Sequence, residues 1–476
     1  MSQPEGCRTA ASASDALAAL WRDAAMPPSA LQQLALTGQE PVLPSSFAVA
    51  TALQAALGAA ALAAVEVSRL RGGPVQIVRL DAADVAVESA CRFTLDGRTP
   101  EAWDRFAGLY PCGAASEPGW VRLHTNFAHH RDGVLRLLGL PTDGSASRDD
   151  VAAALRSWSP EAFESAAAER GLVVAALRSP QAWARHPQAA AVAATPLVEI
   201  ERIGDAPPRQ DPALQRCARP LCGLRVLDLT RILAGPVAGR TLAAYGADVM
   251  LVNSPHLPNI EAIAETSRGK LSVELDLRSA AGAETLRGLL RDCDVFLQGY
   301  RPGGLADLGF GAETAARLRP GIVCLSLSAY GHRGPWAGRR GFDSLVQTAT
   351  GLNVEEATAF GSDTPRALPL PALDYGAGYL LAFGAAAALH RQRREGGSWH
   401  VRVSLAGVGH WLAGLGRLAH GPAAVWPDVQ ARMEATDSGF GRLVAARHAV
   451  EMSLTPPLWD RPSMPPGSHP PVWPQR

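Results

Sequence analysis

Two carboxylates stand in settings that suit acyl chemistry. Asp374 lies in PALDYGAG, after an apolar, Pro-containing extended stretch and beside Gly376 and Gly378, at the expected start of a helix. A helix N-terminus favours the anionic form of such a side chain, and glycines let backbone N–H groups and a substrate come close. The same features suit a plain capping aspartate, so the local sequence leaves capping and nucleophilic attack both open. Asp343 follows Phe342 in RRGFDSLVQ and reads equally as a helix-start carboxylate or as a second acid of one site. His124, His129 and His130 fall in and just after GWVRLHT. Without a third ligand at suitable spacing they favour a surface or substrate-loop role over a metal site.

Other chemistries lack their motifs. No G-x-G-x-x-G follows the first strand of the α/β series, so a nicotinamide cofactor is not implied. There is no G-x-x-x-x-G-K-S/T loop and no G-x-S-x-G elbow. The seven cysteines (7, 91, 112, 217, 222, 293 and 324) are scattered without a C-x-x-C pair. They read as reduced thiols, with no metal site and no disulfide framework.

The 476 residues carry 45 basic and 45 acidic side chains, which removes the basic surface that nucleic-acid binding needs. Arginine supplies nearly all the positive charge; Lys270 is the one lysine. The N-terminal residues lack a basic region leading into an apolar core, so a cytoplasmic location without a secretory signal is expected. Residues 47–65 carry no charge and are about as long as a spanning helix, but they are mostly alanine. A buried core helix is expected there rather than a membrane span, and the sequence suggests no second such segment.

The elements that must position these residues fall into a repeated unit and an α/β series. Residues 52–73 (ALQAALGAAALAAVEVSRLRGG) and 376–397 (GAGYLLAFGAAAALHRQRREGG) are both Ala-rich stretches that turn basic and stop at Gly-Gly. Each runs on into an alternating apolar stretch, so a helix-turn-strand unit occurs twice. The register puts Ala50 opposite Asp374, so the first copy has no matching carboxylate. Between them, LRVLDLT, ADVMLVNSP, DVFLQGY and IVCLSLSAYG read as strands alternating with helices, which predicts a parallel sheet covered on both faces. Residues 97–205 alternate Pro/Gly-punctuated loops with helical patterns at 128–138, 148–156, 160–170 and 179–194. The stretch 206–220 is a Pro-rich polar linker, and little periodicity is visible beyond 421.

These residues carry a resemblance. PLCGLRVLDLTRILAGPVAGRTLAAYGADVMLV, SRGKLSVELDLRS, DVFLQGYRPGGLADLGF, SLSAYGHRGPWAGRRGFDSLVQTATGL and the helix opening ALDYGAGYLLAFG resemble, in this order, the class III CoA-transferases of the CaiB/BaiF family. GWVRLHTNFAHHRDGVLRLLGLP is similar to that family's small domain, and RGLVVAALRSPQAWARHPQAAA to its later returning segment, yet here both precede the first half. The resemblance implies an α/β fold, with a Rossmann-like parallel-sheet large domain and a smaller α+β domain, built from two truncated copies. The implied organisation is an extension over 1–47, a truncated copy over 48–205, the linker 206–220, a second copy over 221–420 and a Pro-rich tail over 421–476.

The resemblance further implies transfer of CoA from an acyl-CoA to a carboxylic acid acceptor through an aspartyl-CoA thioester, with no tightly bound cofactor and no metal. It implies an interlocked homodimer, with no membrane and no nucleic-acid partner. Asp374 matches the family nucleophile, and Asp343 an acidic position near it. The CoA contacts are implied at Leu233, Ala234, Leu275, Asp276, Leu277, Arg278, Gly299, Tyr300, Arg301 and Arg340, with Arg231, Arg268 and Lys270 as nearby cations for the phosphates. In the racemase branch a histidine occupies the position of Phe342. Phenylalanine cannot accept a proton, which disfavours an acyl-CoA racemase or isomerase. Asn253, Ser254, Gly299 and Asp307 depart from frequent family residues and favour the other alternative, a non-catalytic CoA-ester-binding subunit.

Overall fold

Runs such as Val226–Leu229, interrupted by Asp228 alone, and the wholly apolar Val249–Val252 are buried on both sides, as strands of a doubly covered sheet require. The computed structural model describes residues 10–210, 219–301 and 303–475. Its main sheet holds β1 (Glu199–Gly204), β2 (Arg225–Leu229), β3 (Asp248–Asn253), β4 (Lys270–Glu274), β5 (Val295–Gln298), β6 (Val323–Ser328) and β7 (Ser398–Ser404). The spatial order is β4-β3-β2-β5-β6-β7-β1. β2 to β7 run parallel, and β1 closes the edge antiparallel to β7. The chain winds outward in opposite directions from β2 and β5, so the crevice beyond their C-terminal ends is the expected ligand position of this fold.

Two long helices, Val49–Leu70 and Ala372–Glu395, lie against each other beneath one face of the sheet, and the helix Ala234–Ala244 packs on the second. Both long helices are apolar enough to cross a membrane by length and composition, and the apolar stretch of each is buried inside the fold. The segment around 47–65 is therefore a core helix. The expectation of no second such segment is corrected: Asp374 and the basic end HRQRRE hide the apolar length of 372–395.

The strands Gly108–Cys112, Gly119–Leu123 and Val174–Ala176 form a separate antiparallel sheet. Helices Ala128–Leu137, Arg148–Leu155 and Pro160–Glu169 cover it, around a core that includes Phe106, Tyr110 and Phe163. The single helix expected over 179–194 is instead two, Pro180–Ala184 and Pro187–Ala193. Pro187 has no N–H to continue the first helix, and His186 Nδ1 caps the second by accepting from the Gln188 N–H at 3.1 Å.

The chain ends are tied in by strands that sequence periodicity did not show. Leu34–Thr37 pairs parallel with Val78–Asp81, which pairs antiparallel with Val450–Met452. A hairpin of Met433–Ser438 and Gly441–Ala446 adds to Phe93–Leu95. Neither the extension expected over 1–47 nor the tail expected beyond 421 is thus a loose appendage where it is described. Cys7, Cys217 and the middle of the 206–220 linker lie outside the described residues. Cys91, Cys112, Cys293 and Cys324 are free thiols.

Candidate active site

β2 ends at Leu229 and turns into the Ala234–Ala244 helix. Within that turn Ile232 holds φ at 76°, a strained conformation for a β-branched residue. Leu233 gives the helix no side-chain cap, so its first N–H groups stay open at the wall that Leu233 and Ala234 form. This turn and the segments after β3, β4 and β5 enclose a cleft of about 620 Å³. The opposite wall comes from Phe127, His129, His130 and Val173 of the smaller sheet unit, and Phe342, Asp374 and Leu405 complete it. One chain supplies both walls.

Asp374 is the third residue of the Ala372–Glu395 helix and is 9% exposed. Its carboxylate lines the cleft and accepts no hydrogen bond from any described residue. Burial, followed by the neighbouring Asp343 charge, raises its pKa well above the usual carboxylate range. Asp343 is the reverse case. Its Oδ2 accepts the backbone N–H groups of Leu373 at 2.8 Å and Asp374 at 3.1 Å, and its Oδ1 accepts from Gln347 Nε2. Burial lifts Asp343 to about 6 against these three donors and the nearby Arg122. Asp343 is therefore the cap of the helix that carries Asp374, supplied from another helix, and it stands behind the cleft wall. Asp374 is not a cap at all.

Other expected residues divide. Arg231, Leu233, Ala234, Leu275, Asp276, Leu277, Arg278, Gly299, Tyr300, Arg301 and Arg340 all line the cleft together with Asp374. Arg268 and Lys270 do not, which corrects their expected place near the phosphates. Lys270 is fully buried between Asp228 Oδ2 at 2.8 Å and the Pro236 carbonyl at 2.8 Å. Arg268 is buried against Glu265 at 2.5 Å and under the Trp459 ring at 3.9 Å. Both hold the sheet edge to neighbouring segments. Gly376 and Gly378 also serve packing rather than substrate approach: a Cβ on Gly378 would stand 2.6 Å from the Ala234 carbonyl oxygen, and one on Gly376 2.9 Å from Val408.

The cleft is cationic. No described carboxylate forms an ion pair with Arg231, Arg301 or Arg340, whereas Arg278 is held by Asp276 at 3.1 Å and Arg339 lies 3.4 Å from Glu164. Asp276, bound also by His256 at 3.1 Å, has its pKa pushed well below the usual range by Arg278 first and His256 second. Three guanidiniums without an ion-pair partner and an open helix N-terminus suit a polyphosphate or another anion. Asn253 and Ser254 line the same cleft, but Asn253 is engaged within the fold by Val273 O at 3.1 Å and Asn259 at 3.0 Å. Asp307 lies outside the cleft lining. Among the described residues no group of His, Cys, Asp and Glu is arranged to hold a metal.

Sequence reasoning missed Phe127, His256 and Arg339 as lining residues, and Gln347 and Arg122 as partners of Asp343. His129 and His130 were visible as a pair, yet only the fold brings them to this wall. Phe342 stacks on His124, ring centroids 3.9 Å apart and planes 10° from parallel, and its other neighbour Phe127 is 6.4 Å away. No proton acceptor occupies the Phe342 position itself.

Strand order and site together define a doubly wound α/β protein with a buried carboxylate on the wall of an arginine-lined crevice. Residues 221–438 match the sequence model of CoA-transferase family III. Among curated proteins the chain is similar to an acyl-CoA transferase of Gibberella moniliformis, 32% identical over 304 residues, covering 60% of this chain and 53% of that protein. It is also similar to succinyl-CoA--D-citramalate CoA-transferase of Chloroflexus aurantiacus, 32% identical over 204 residues, covering 40% and 50%. A solved structure of a hypothetical protein from Mycobacterium tuberculosis is 32% identical, covering 42% of this chain and 58% of that one with a TM-score of 0.37. The chain spans about half the length of the curated relatives it matches.

Proposed function

We propose that this protein transfers CoA from an acyl-CoA thioester to a free carboxylic acid through an aspartyl-CoA thioester on Asp374. The observation that carries the reading is the Asp374 carboxylate, buried, unpartnered and raised in pKa, on the wall of a cleft that also holds three arginines without an ion-pair partner. An unpaired buried carboxylate is expensive to keep, and such a cost is characteristic of a reacting group. The names of relatives such as the succinyl-CoA–citramalate enzyme support the same class of reaction.

The reaction balances without a cofactor. An Asp374 oxygen attacks the thioester carbonyl, the C–S bond breaks, and CoA thiolate leaves a mixed anhydride. The thiolate attacks the aspartyl carbonyl, releasing the first acid as its carboxylate and leaving aspartyl-CoA. The acceptor carboxylate attacks the same carbonyl and expels the thiolate, which takes the new acyl group and frees Asp374. The uncapped N–H groups of the Ala234–Ala244 helix and the guanidiniums of Arg231, Arg301 and Arg340 would retain CoA while it is detached. Phe342 gives α-proton exchange no base at its position, which weighs against the racemase alternative.

Intact-protein mass after brief exposure to a panel of acyl-CoAs tests the reading. A CoA or acyl adduct mapped to Asp374 and absent from Asp374→Asn is the expected result. No adduct across the panel, with CoA binding intact, would move the protein to the non-catalytic binding class.

A further inference from the structure

One loop brings Arg339, Arg340, Gly341 and Phe342 to the cleft, and a side chain from outside the family match fastens it. The loop leaves β6 after Ser328 and ends at the helix that begins with Asp343. Gln188, on the Pro187–Ala193 helix, is fully buried against it. Its Nε2 donates to the carbonyl oxygens of Tyr330 and Arg333, both at 2.8 Å, and its Oε1 accepts the Trp336 N–H at 2.7 Å. Two backbone acceptors and one backbone donor thus meet the two N–H bonds and the oxygen of a single amide. The fit is close: Gly334 has φ at 84°, and a Cβ there would stand 2.6 Å from Gln188 Oε1 and 2.7 Å from the Ala191 Cβ.

The hold extends from the clamped residues to the cleft. The Ala337 N–H donates to the Gly334 carbonyl oxygen at 3.2 Å, and the Arg339 N–H to the Trp336 carbonyl oxygen at 2.9 Å. The Trp336 ring packs on His186 and Tyr330, with centroids 4.3 Å and 4.9 Å away, and carries the Arg339 guanidinium at 4.2 Å. At the far end, a Cβ on Gly341 would stand 2.9 Å from Tyr330 Cε2, so the loop closes on the residue whose carbonyl Gln188 holds. Arg340 lies between these two fixed points. Its own tether is one bond to the Gly171 carbonyl oxygen at 3.3 Å, with no carboxylate among the described residues in ion-pair contact. The direction of its guanidinium is therefore set by the backbone that carries it.

We infer that Gln188 is a positioning residue for the cleft: by clamping the Tyr330–Trp336 turn it fixes the Arg339–Arg340 backbone, and through it the Arg340 guanidinium that receives CoA. Naming CoA as the ligand rests on the transfer reading; the clamp itself does not.

Gln188→Met keeps the shape of the side chain and removes all three hydrogen bonds. Hydrogen exchange of the full chain, read on peptides covering 330–342, should become at least about tenfold faster there and stay unchanged in the sheet strands. Calorimetric titration with CoA should show binding weakened by about tenfold. Added to Arg340→Gln, the same substitution should weaken binding by less than about twofold more, because a residue that acts through Arg340 then has nothing to position. Gly334→Ala displaces the amide from an exposed loop position and should reproduce the pattern if Gln188→Met does not fold. Gly338→Ala, with open space around its added carbon, should change neither reading. Additive losses in the double variant would show general loosening and overturn the inference. So would unchanged loop exchange, or a loosened loop with unchanged CoA affinity. A loosened loop in a protein whose unaltered chain binds no CoA would overturn the transfer reading and bear out the clamp.

Discussion

Asp343 Oδ2 accepts the backbone N–H of Asp374 at 3.1 Å, so the helix that presents one carboxylate is capped by the other. The two groups share a buried space with unequal support. Three donors hold Asp343, and Asp374 has none. Asp343 therefore ionises first, at about 6, and its charge then resists ionisation of Asp374.

This order sets the pH dependence. Asp374 must be ionised to attack, so transfer activity should rise with pH on a limb above the ordinary carboxylate range. Asp343→Asn removes the opposing charge and should move that limb to lower pH by about one unit. The asparagine oxygen can still accept from Leu373 and Asp374, but its amide meets Gln347 Nε2, whose own Oε1 is held by Asn353 and Leu368. A destabilisation of about 1 kcal/mol follows from that mismatch. A pH–rate profile in which the limb stays in place would show that the two carboxylates are not coupled.

Stability should run the other way. A carboxyl whose folded pKa is raised binds its proton more tightly in the native state, so its contribution is complete below the unfolded value. That contribution is lost as pH rises through the folded value. For Asp343 the window runs from 3.8 to about 6, and for Asp374 it extends higher. Asp374→Asn removes the repulsion and should raise stability by about 1 kcal/mol near neutral pH while abolishing the adduct. Thermal melts of the two proteins at pH 5 and pH 8 check this, with the larger gap expected at pH 8.

The division of the cations gives a further contrast. Arg301→Gln should weaken CoA binding by about tenfold, with reduced salt sensitivity and unchanged melting, because the side chain lines the cleft without an ion-pair partner. Lys270→Met leaves Asp228 charged in the core without a counter-ion, held by Thr230 Oγ1, and should lower stability by about 3–5 kcal/mol. Calorimetric titration of CoA alongside melting curves distinguishes the two effects. Loss of CoA affinity in a stably folded Lys270→Met protein would return Lys270 to the cleft.

What the sequence showed and what it concealed follow one physical division. The sheet strands of 225–328 were legible because burial on both faces makes them largely apolar runs, and Asp374 because a Pro-containing apolar loop meets a helix there. The hairpin 433–446 was not, since its short strands bury Leu443 and Ala445 on one side only and read as loop. Arg268 and Lys270 looked like phosphate ligands because charge is visible in sequence and enclosure is not. Glu265 is a local partner three residues before Arg268, but Asp228 meets Lys270 only through packing across the sheet. His130 was seen, but its place on the cleft wall exists only once the smaller sheet unit faces β2.

Helix spacing beneath the site makes the last prediction. Gly378 lies one turn beyond Asp374, against the start of the Ala234–Ala244 helix, where an added Cβ would stand 2.6 Å from the Ala234 carbonyl and 2.7 Å from Val237. The obstructing atoms include backbone, so they cannot move aside as a flexible side chain would. Gly378→Ala must push the Ala372–Glu395 helix away from the wall that holds Leu233 and Ala234, which costs about 1–3 kcal/mol in overpacking. The shift carries Asp374 away from the CoA side of the cleft, and misplacement by about 1 Å is enough to slow an oriented attack by about a hundredfold. Adduct formation on Asp374 should therefore slow far more than CoA affinity falls. Gly414→Ala, with open space around its added carbon, is the matched control for loss of a glycine in a helix and should change neither. Equal adduct rates in the two variants would show that the contact at Gly378 does not position the nucleophile.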